Sequence, residues 1–267
     1  MIRLAVSGAG GRMGQRILAL SDKDADFELV QAIEWDGFPL MGRSVNQGMP
    51  LAPRAEGVLW TNELVEGADI LIDFSSPENA VVNARRAVEY GIKLVVGTTG
   101  LSGEQSAELH EAAKSIPVMQ PPNFSLGVNL MFSLAAEAAR VLGDEYNIEI
   151  IEAHHNQKVD APSGTALGLA QAVTGELHRD MDSVLVHGRH GRPGKRKPEE
   201  IGMHALRMGS LAGDHTVYFC SEHECFSISH RAESRDVFAA GALRAAKWMM
   251  RRGKPGWYTM RDMLFGD

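Results

Sequence analysis

The chain has 267 residues, 44% of them hydrophobic and 23% charged, with a formal net charge of −7. This is globular composition, with material for one large domain or two ordinary ones, and it excludes an extensively disordered chain. Net negative charge favours neither nucleic acid nor an anionic membrane, so neither is an expected partner, and any bound anion must be held by a local cluster.

No apolar run is expected to reach the roughly 18–20 residues that span a bilayer. Residues 1–6 lead straight into strand-like sequence without the core of a signal peptide. The two cysteines, Cys220 and Cys225, make no disulfide framework, so a reducing, cytoplasmic setting is expected.

In chain order, residues 2–7, 27–33, 70–74, 93–96 and 118–120 each read as a short buried strand. The helices between them have legible ends. Ser76-Pro77-Glu78 supplies an N-cap, a first-turn proline and an acid at the positive dipole end, and Gly91 suits a left-handed C-terminus. Ser102 with Gln105 forms a capping box. Alternating strands and helices predict an α/β fold, with a Rossmann-like, doubly wound parallel sheet at the N-terminus.

Beyond Asn123 the pattern changes. Val128, Met131, Leu134, Ala135, Ala138 and Leu142 recur at helical spacing up to Gly143. A strand over 147–153 follows, then a helix from Gly164. Residues 183–187, 203–208, 215–220 and 225–230 read as strands, with an exposed loop at 190–198. This half is expected to be a C-terminal α+β domain with an open mixed sheet. Residues 235–252 read as a final long helix closed by Gly253 and Pro255. The predicted domains are 1–125 for a dinucleotide, completed by the C-terminal helix 235–267, and 126–234 for substrate binding and oligomerisation.

Gly8-Ala9-Gly10-Gly11-Arg12-Met13-Gly14 directly follows the first strand. Met13 stands where the usual fingerprint has its third glycine, so this is a variant Gly-x-Gly-x-x-Gly turn. Its physics is unchanged: the backbone can approach a pyrophosphate closely, and the next helix directs N–H groups and its positive end at it. Glu34 ends the second strand about 20 residues on, where an acid accepts hydrogen bonds from an adenosine ribose. Trp35 either packs on the adenine or belongs to a core or interface. Gly97-Thr98-Thr99-Gly100 and Pro121-Pro122-Asn123-Phe124-Ser125 lie beyond two later strands and suit a ribose or nicotinamide. The expected cofactor residues are Gly8, Ala9, Gly10, Gly11, Arg12, Met13, Glu34, Gly97, Thr98, Thr99, Pro121, Pro122, Asn123 and Phe124.

The densest polar segment is Glu152-Ala153-His154-His155-Asn156-Gln157-Lys158-Val159-Asp160-Ala161-Pro162-Ser163-Gly164-Thr165-Ala166. A histidine near its free pKa moves protons efficiently, a lysine holds an anion or gives a proton, and the helix start at Ser163-Gly164-Thr165 adds a second anion site. One segment is thus expected to hold a carboxylate and protonate a reacting carbon.

Together with the glycine turn, Gly97–Gly100, residues 123–129, Gly213-Asp214-His215-Thr216-Val217 and Ser229-His230-Arg231-Ala232, this segment resembles the 4-hydroxy-tetrahydrodipicolinate reductase (dihydrodipicolinate reductase) family. The resemblance runs the length of the chain and is most specific at 152–166. It implies hydride transfer from NAD(P)H to a cyclic dicarboxylate with loss of water, in lysine and diaminopimelate biosynthesis, by a homotetramer. It further implies that His154 transfers a proton, Lys158 is catalytic, His155 contacts substrate, and Gly164 and Thr165 grip a carboxylate. The family often has arginine directly after the acid of the second strand, where this chain has Trp35. With Glu34 repelling a 2′-phosphate, NADH is expected to serve at least as well as NADPH, with Arg12 and Arg43 the remaining guanidinium candidates.

Three other readings are weaker. A thioester-forming aldehyde dehydrogenase needs a cysteine beside the nicotinamide, and Cys220 and Cys225 lie far from any glycine loop. A dinucleotide sensor needs neither His154 nor Lys158. No metal site is expected, since His223-Glu224-Cys225 lacks a second cysteine pair to complete a tetrahedron.

Overall fold

In the computed structural model, strand β1 (Ile2–Ser7) is buried from Leu4 to Val6 and takes parallel partners on both sides, β2 (Phe27–Ile33) and β4 (Ile70–Asp73). The structure describes residues 1–49, 51 and 55–266; residue 267, the end of the expected C-terminal helix, lies outside them. Strand β3 (Trp60–Thr61) extends the sheet beyond β2, and β5 (Lys93–Val96) and β6 (Pro117–Met119) extend it beyond β4. Every pairing is parallel, so both faces of the sheet need cover. The chain leaves β1 toward β2 and β3, then returns to build β4, β5 and β6 on the other side. That reversal between β1 and β4 is the switch point at which doubly wound sheets open a crevice.

Helix α1 (Arg12–Ser21) buries Gly14, Ile17, Leu18 and Ser21, which share one face at helical spacing. A four-residue helix, α2 (Val45–Gly48), lies between β2 and β3. Helix α3 (Pro77–Tyr90) is capped by Ser76, whose hydroxyl accepts from the Asn79 N–H, and closed by Gly91 at φ 67°. Helix α4 (Gly103–Ala112) begins with the complete Ser102/Gln105 capping box.

The chain divides into two compact units, Met1–Ser125 with Arg235–Asp267, and Leu126–Ser234. In the second, α5 (Leu126–Leu142) and α6 (Gly164–Glu176) pack one face of a five-stranded sheet. The strands are β7 (Asn147–His154), β8 (Leu185–His187), β9 (Ile201–Arg207), β10 (Asp214–Cys220) and β11 (Cys225–Arg231), in the order β11-β10-β7-β9-β8. β7, β9 and β8 run parallel, and β10 is antiparallel to both neighbours, so the sheet is mixed. Met131, Ala135, Ala139, Leu169 and Val173 from the helices meet Ile148, Ile150, Met203, Val217 and Phe219 from the strands. On the opposite face Glu149 accepts from Arg189 at 3.0 Å, Arg196 at 3.3 Å and His204 at 2.8 Å.

Four expectations need correction. The strand expected over 183–187 begins as a helical turn, α7 (Met181–Val184), and only Leu185–His187 pairs. The helix expected to end the chain, α8 (Asp236–Met250), is followed by β12 (Gly256–Tyr258), parallel to β6, and by α9 (Met260–Phe265). Cys220 and Cys225 sit directly opposite across the β10–β11 hairpin, 4.1 Å apart at Cα, and are disulfide-bonded. Finally, the helical stretch Leu126–Glu145 is long and apolar enough to cross a membrane by length and composition. In the fold its Met131, Ala135 and Ala139 belong to the core of the second unit.

Candidate active site

The glycine turn lies where β1 hands over to α1. Gly8 has φ +69°, and a Cβ there would stand 2.2 Å from the Phe74 carbonyl oxygen. At Gly14 a Cβ would stand 2.1 Å from the Gly8 oxygen, so this glycine, not Met13, lets the helix close on the turn. Helix α1 has no side-chain cap and no acid in its first turn, which leaves its N-terminal N–H groups available to an anion. The Gly10 N–H donates to Glu34 Oε1 at 2.7 Å, tying the turn to the acid at the end of β2. A carboxylate oxygen has two lone pairs, so Glu34 retains capacity for a ribose hydroxyl.

Two adjoining clefts open here. One, of about 570 Å³, is lined by Gly8, Gly11, Glu34, Trp35 and residues of α3. The other, of about 450 Å³, is lined by Arg12, Met13, Gly97, Thr98, Thr99, Pro121, Pro122, Asn123 and Phe124. Phe74 and Ser75 line both. Ala9 is wholly buried behind the turn, and Gly10 is not among the cleft-lining residues. Trp35 is 60% exposed at the first cleft and is not a core residue. Arg12 borders the second cleft, and Arg43 lines neither.

Asp73, at the end of β4 and fully buried, links the loops around these clefts. Its Oδ1 accepts from the Ser75 N–H at 3.0 Å, the Ser75 hydroxyl at 2.8 Å and the Thr98 hydroxyl at 2.6 Å. Its Oδ2 accepts from Asn83 Nδ2 at 2.7 Å, and that amide also donates to the Ser7 hydroxyl at 2.9 Å. Asp73, Ser75 and Asn83 escaped the sequence reading because 70–74 read as a buried strand and Ser76-Pro77 as a helix cap. An acid at the end of an otherwise apolar run was the available signal.

In the second unit the polar segment is organised by Glu152, fully buried in β7. Its Oε2 lies 2.6 Å from His154 Nδ1, and Arg207 donates to both of its oxygens at 2.8 and 2.9 Å. The Ser163 N–H donates to its Oε1 at 3.1 Å. Burial pushes the Glu152 carboxyl up, but hydrogen bonds from Arg207 and His154 outweigh it, and the net position is below the usual range. An ionised Glu152 only accepts, so Nδ1 of His154 carries the proton, and Nε2 is the atom left for chemistry. A Cβ at Gly213 would lie 3.1 Å from that Nε2, so this glycine keeps the approach open.

His215, paired in register with Glu152, stands edge-on to His154 with ring centroids 5.1 Å apart. Its Nε2 meets the Ser163 hydroxyl at 3.1 Å. Burial, reinforced by the charge of His154, pushes its pKa down from 6.5 to about 4, so it is neutral at pH 7. Ser163 is also the N-cap of α6, accepting from the Ala166 N–H at 3.2 Å, a contact worth about 1 kcal/mol. Gly164 and Thr165 form the first turn of that helix, Gly164 open to solvent and Thr165 buried. Lys158 Nζ is paired with Asp160 Oδ1 at 2.8 Å. The His155 N–H donates to the Leu211 carbonyl at 2.9 Å, strapping this loop to the one before β10. Glu152, Arg207, Gly213 and His215 were not singled out from sequence, although the first lies in the polar segment and the last two in a quoted motif. Among the described residues no group of three or more His, Cys, Asp or Glu side chains forms a metal-binding cluster.

A seven-stranded parallel sheet with a glycine turn at its switch point, joined to a separate α+β unit bearing a histidine–carboxylate pair, defines a two-unit, Rossmann-type oxidoreductase. A family model described as "Dihydrodipicolinate reductase, N-terminus" matches residues 2–124, and one described as "Dihydrodipicolinate reductase, C-terminus" matches residues 127–264. The chain belongs to the dihydrodipicolinate reductase family. It is 44% identical to the 4-hydroxy-tetrahydrodipicolinate reductase of Magnetococcus marinus, with 98% of each chain covered. It is 43% identical to the enzyme of that name from Syntrophotalea carbinolica, with 99% of each covered. Among solved structures, a dipicolinate-bound dihydrodipicolinate reductase from Paenisporosarcina sp. TG-14 shares the fold, with TM-score 0.76 and 24% identity over 99% of this chain and 100% of that one.

Proposed function

We propose that the chain catalyses NAD(P)H-dependent reduction of 4-hydroxy-tetrahydrodipicolinate to tetrahydrodipicolinate, with loss of water, in lysine and diaminopimelate biosynthesis. The observation that carries this reading is the Glu152–His154 pair, with Arg207, Ser163 and Lys158 around it, on a chain 43–44% identical to two relatives that bear that enzyme's name.

The dinucleotide fits the first unit on structural grounds. Side chains at Gly8 or Gly14 would collide with the backbone, and the uncapped start of α1 suits a pyrophosphate. Gly8, Ala9, Gly10, Gly11, Arg12 and Met13 would hold the pyrophosphate end and Glu34 the adenosine ribose. Gly97, Thr98, Thr99, Pro121, Pro122, Asn123 and Phe124 would hold the nicotinamide end. The bound cofactor supplies a hydride. NADH is used at least as well as NADPH.

In the second unit, Gly164 and Thr165 offer backbone N–H groups and a hydroxyl to one substrate carboxylate. Lys158 turns from Asp160 to the substrate, and His155 contacts it. His154, protonated at Nε2 and held by the Glu152 carboxylate at Nδ1, gives a proton where negative charge develops. The reading also takes the protein to be a cytoplasmic homotetramer assembled through the second unit.

The test is a spectrophotometric assay with freshly generated 4-hydroxy-tetrahydrodipicolinate, run with NADH and then NADPH. Substrate-dependent oxidation of either cofactor is the expected result. Tight dinucleotide binding with no turnover would favour a sensor and overturn the reading.

A further inference from the structure

The cleft beside the glycine turn has a lopsided charge. Its described lining includes three carboxylates, Glu34, Asp36 and Glu63, and one guanidinium, Arg86. Asp36 accepts from Asn62 Nδ2 at 2.6 Å. Arg86, on α3, reaches the end of β3, where its Nη2 donates to Glu63 Oε2 at 2.5 Å and its Nη1 to the Leu64 carbonyl at 2.9 Å. The two side chains are 30% and 49% exposed, so both remain within reach of a ligand. β3 adjoins β2, and Glu34, the acid proposed to meet the adenosine ribose, directly follows β2.

We infer that Glu63 is a specificity-determining residue for the cofactor, engaging Arg86 so that the cleft's guanidinium is withheld from a 2′-phosphate. The inference rests on the dinucleotide reading above. An arginine beside the adenosine ribose is the usual means of accepting that phosphate, because its planar fork makes paired, charge-assisted hydrogen bonds to phosphate oxygens. Here such an arginine lines the cleft but is committed elsewhere. A 2′-phosphate entering beside Glu34 must draw Arg86 from Glu63 and leave two carboxylates, Glu34 and Glu63, facing the incoming charge. A ribose 2′-hydroxyl makes neither demand and finds an acceptor in Glu34. Arg86 is therefore a latent phosphate ligand, and Glu63 is the group that keeps it latent.

The experiment measures kcat/KM with NADPH and with NADH, and affinity for each by fluorescence titration without substrate. It compares the parent with Glu63→Gln, Arg86→Met and the double variant. Glu63→Gln is expected to raise the NADPH-to-NADH ratio at least tenfold in both measurements, and Arg86→Met in that background to abolish the gain. Arg86→Met alone, which leaves Glu63 as an uncompensated carboxylate, is expected to deepen the preference for NADH. An unchanged ratio in Glu63→Gln, or a gain that survives Arg86→Met, overturns the inference. Failure of the parent to bind either dinucleotide would instead sink the functional reading beneath it.

Discussion

His154 Nδ1 stands 2.6 Å from Glu152 Oε2, and the same carboxylate is clamped by both terminal nitrogens of Arg207. The carboxylate thus fixes the histidine's orientation, while hydrogen bonds from Arg207 hold the carboxylate ionised inside the unit. Glu152→Gln keeps the shape and removes the charge. It is expected to lower kcat by roughly 10²–10⁴-fold, as loss of an orienting carboxylate does elsewhere. Steady-state kinetics beside NADH titration checks this; a folded variant with only a small loss of kcat would make Glu152 merely structural.

Substitution of His154 separates chemistry from binding. His154→Ala should lower kcat by roughly 10²–10⁴-fold, with a smaller effect on KM. Lys158→Ala should lower kcat and also raise KM through loss of a charge. Neither should much alter NADH affinity, since the proposed dinucleotide residues belong to the other unit. Steady-state kinetics beside NADH titration tests all three statements, and a folded His154→Ala with most of its kcat would remove the proton-transfer role.

Two glycines of the turn should fail differently. Gly14→Ala puts a Cβ 2.1 Å from the Gly8 oxygen and 2.5 Å from Ala9 Cα, both backbone atoms that cannot swing away. It should cost roughly 1–3 kcal/mol or more of stability and weaken NADH binding as well. Gly11→Asp meets only the Gly8 oxygen, at 3.1 Å. It should leave the denaturation midpoint close to that of the parent while weakening NADH binding at least tenfold by crowding and charge. Urea unfolding and NADH titration on the two variants distinguish the cases.

His215 predicts how stability varies with pH. Its folded pKa of about 4 lies below its usual 6.5, so between these values the unfolded chain takes up a proton that the folded chain refuses. Stability from this group is fully present above pH 6.5 and is lost as pH falls toward 4, to a total of roughly 3 kcal/mol. Burial moves His230 in the same direction and leaves a residual slope. His215→Phe should therefore lose less stability than the parent between pH 7 and about pH 4.5. Equal losses in the two proteins would contradict the burial argument.

The mixed sheet of the second unit ends in β11 on one side and β8 on the other, and unprotected edges tend to pair or be covered. A tetramer in solution is the expected assembly. Multi-angle light scattering giving a monomer at assay concentration would refute it.

The parallel sheet was legible because its strands are mostly apolar and its helices carry caps that act locally, as at Ser76, Gly91 and Ser102. β12 was not, because three residues after Pro255 have no pattern of their own and become a strand only by lying against β6. The chemistry-bearing segment 152–166 could be read because consecutive histidines and a lysine before a helix start are rare in a core. Arg207 and His215 could not be attached to it, since only the registers of β9 and β10 against β7 bring them to Glu152. The cysteine pairing was missed for the same reason: two cysteines in strand-like sequence say nothing until the hairpin sets them opposite each other.

The return of the chain to β6 through α8 and β12 gives the first unit an order of manufacture. Its sheet cannot be completed until residue 258 has left the ribosome, after the whole of the second unit has been synthesised. A premature stop after Ser234 would spare every residue of the second unit yet remove Ala239, Ala242, Ala246 and Met249 from the core of the first. Damage at the distal end of the reading frame would therefore fall on the half that begins the polypeptide.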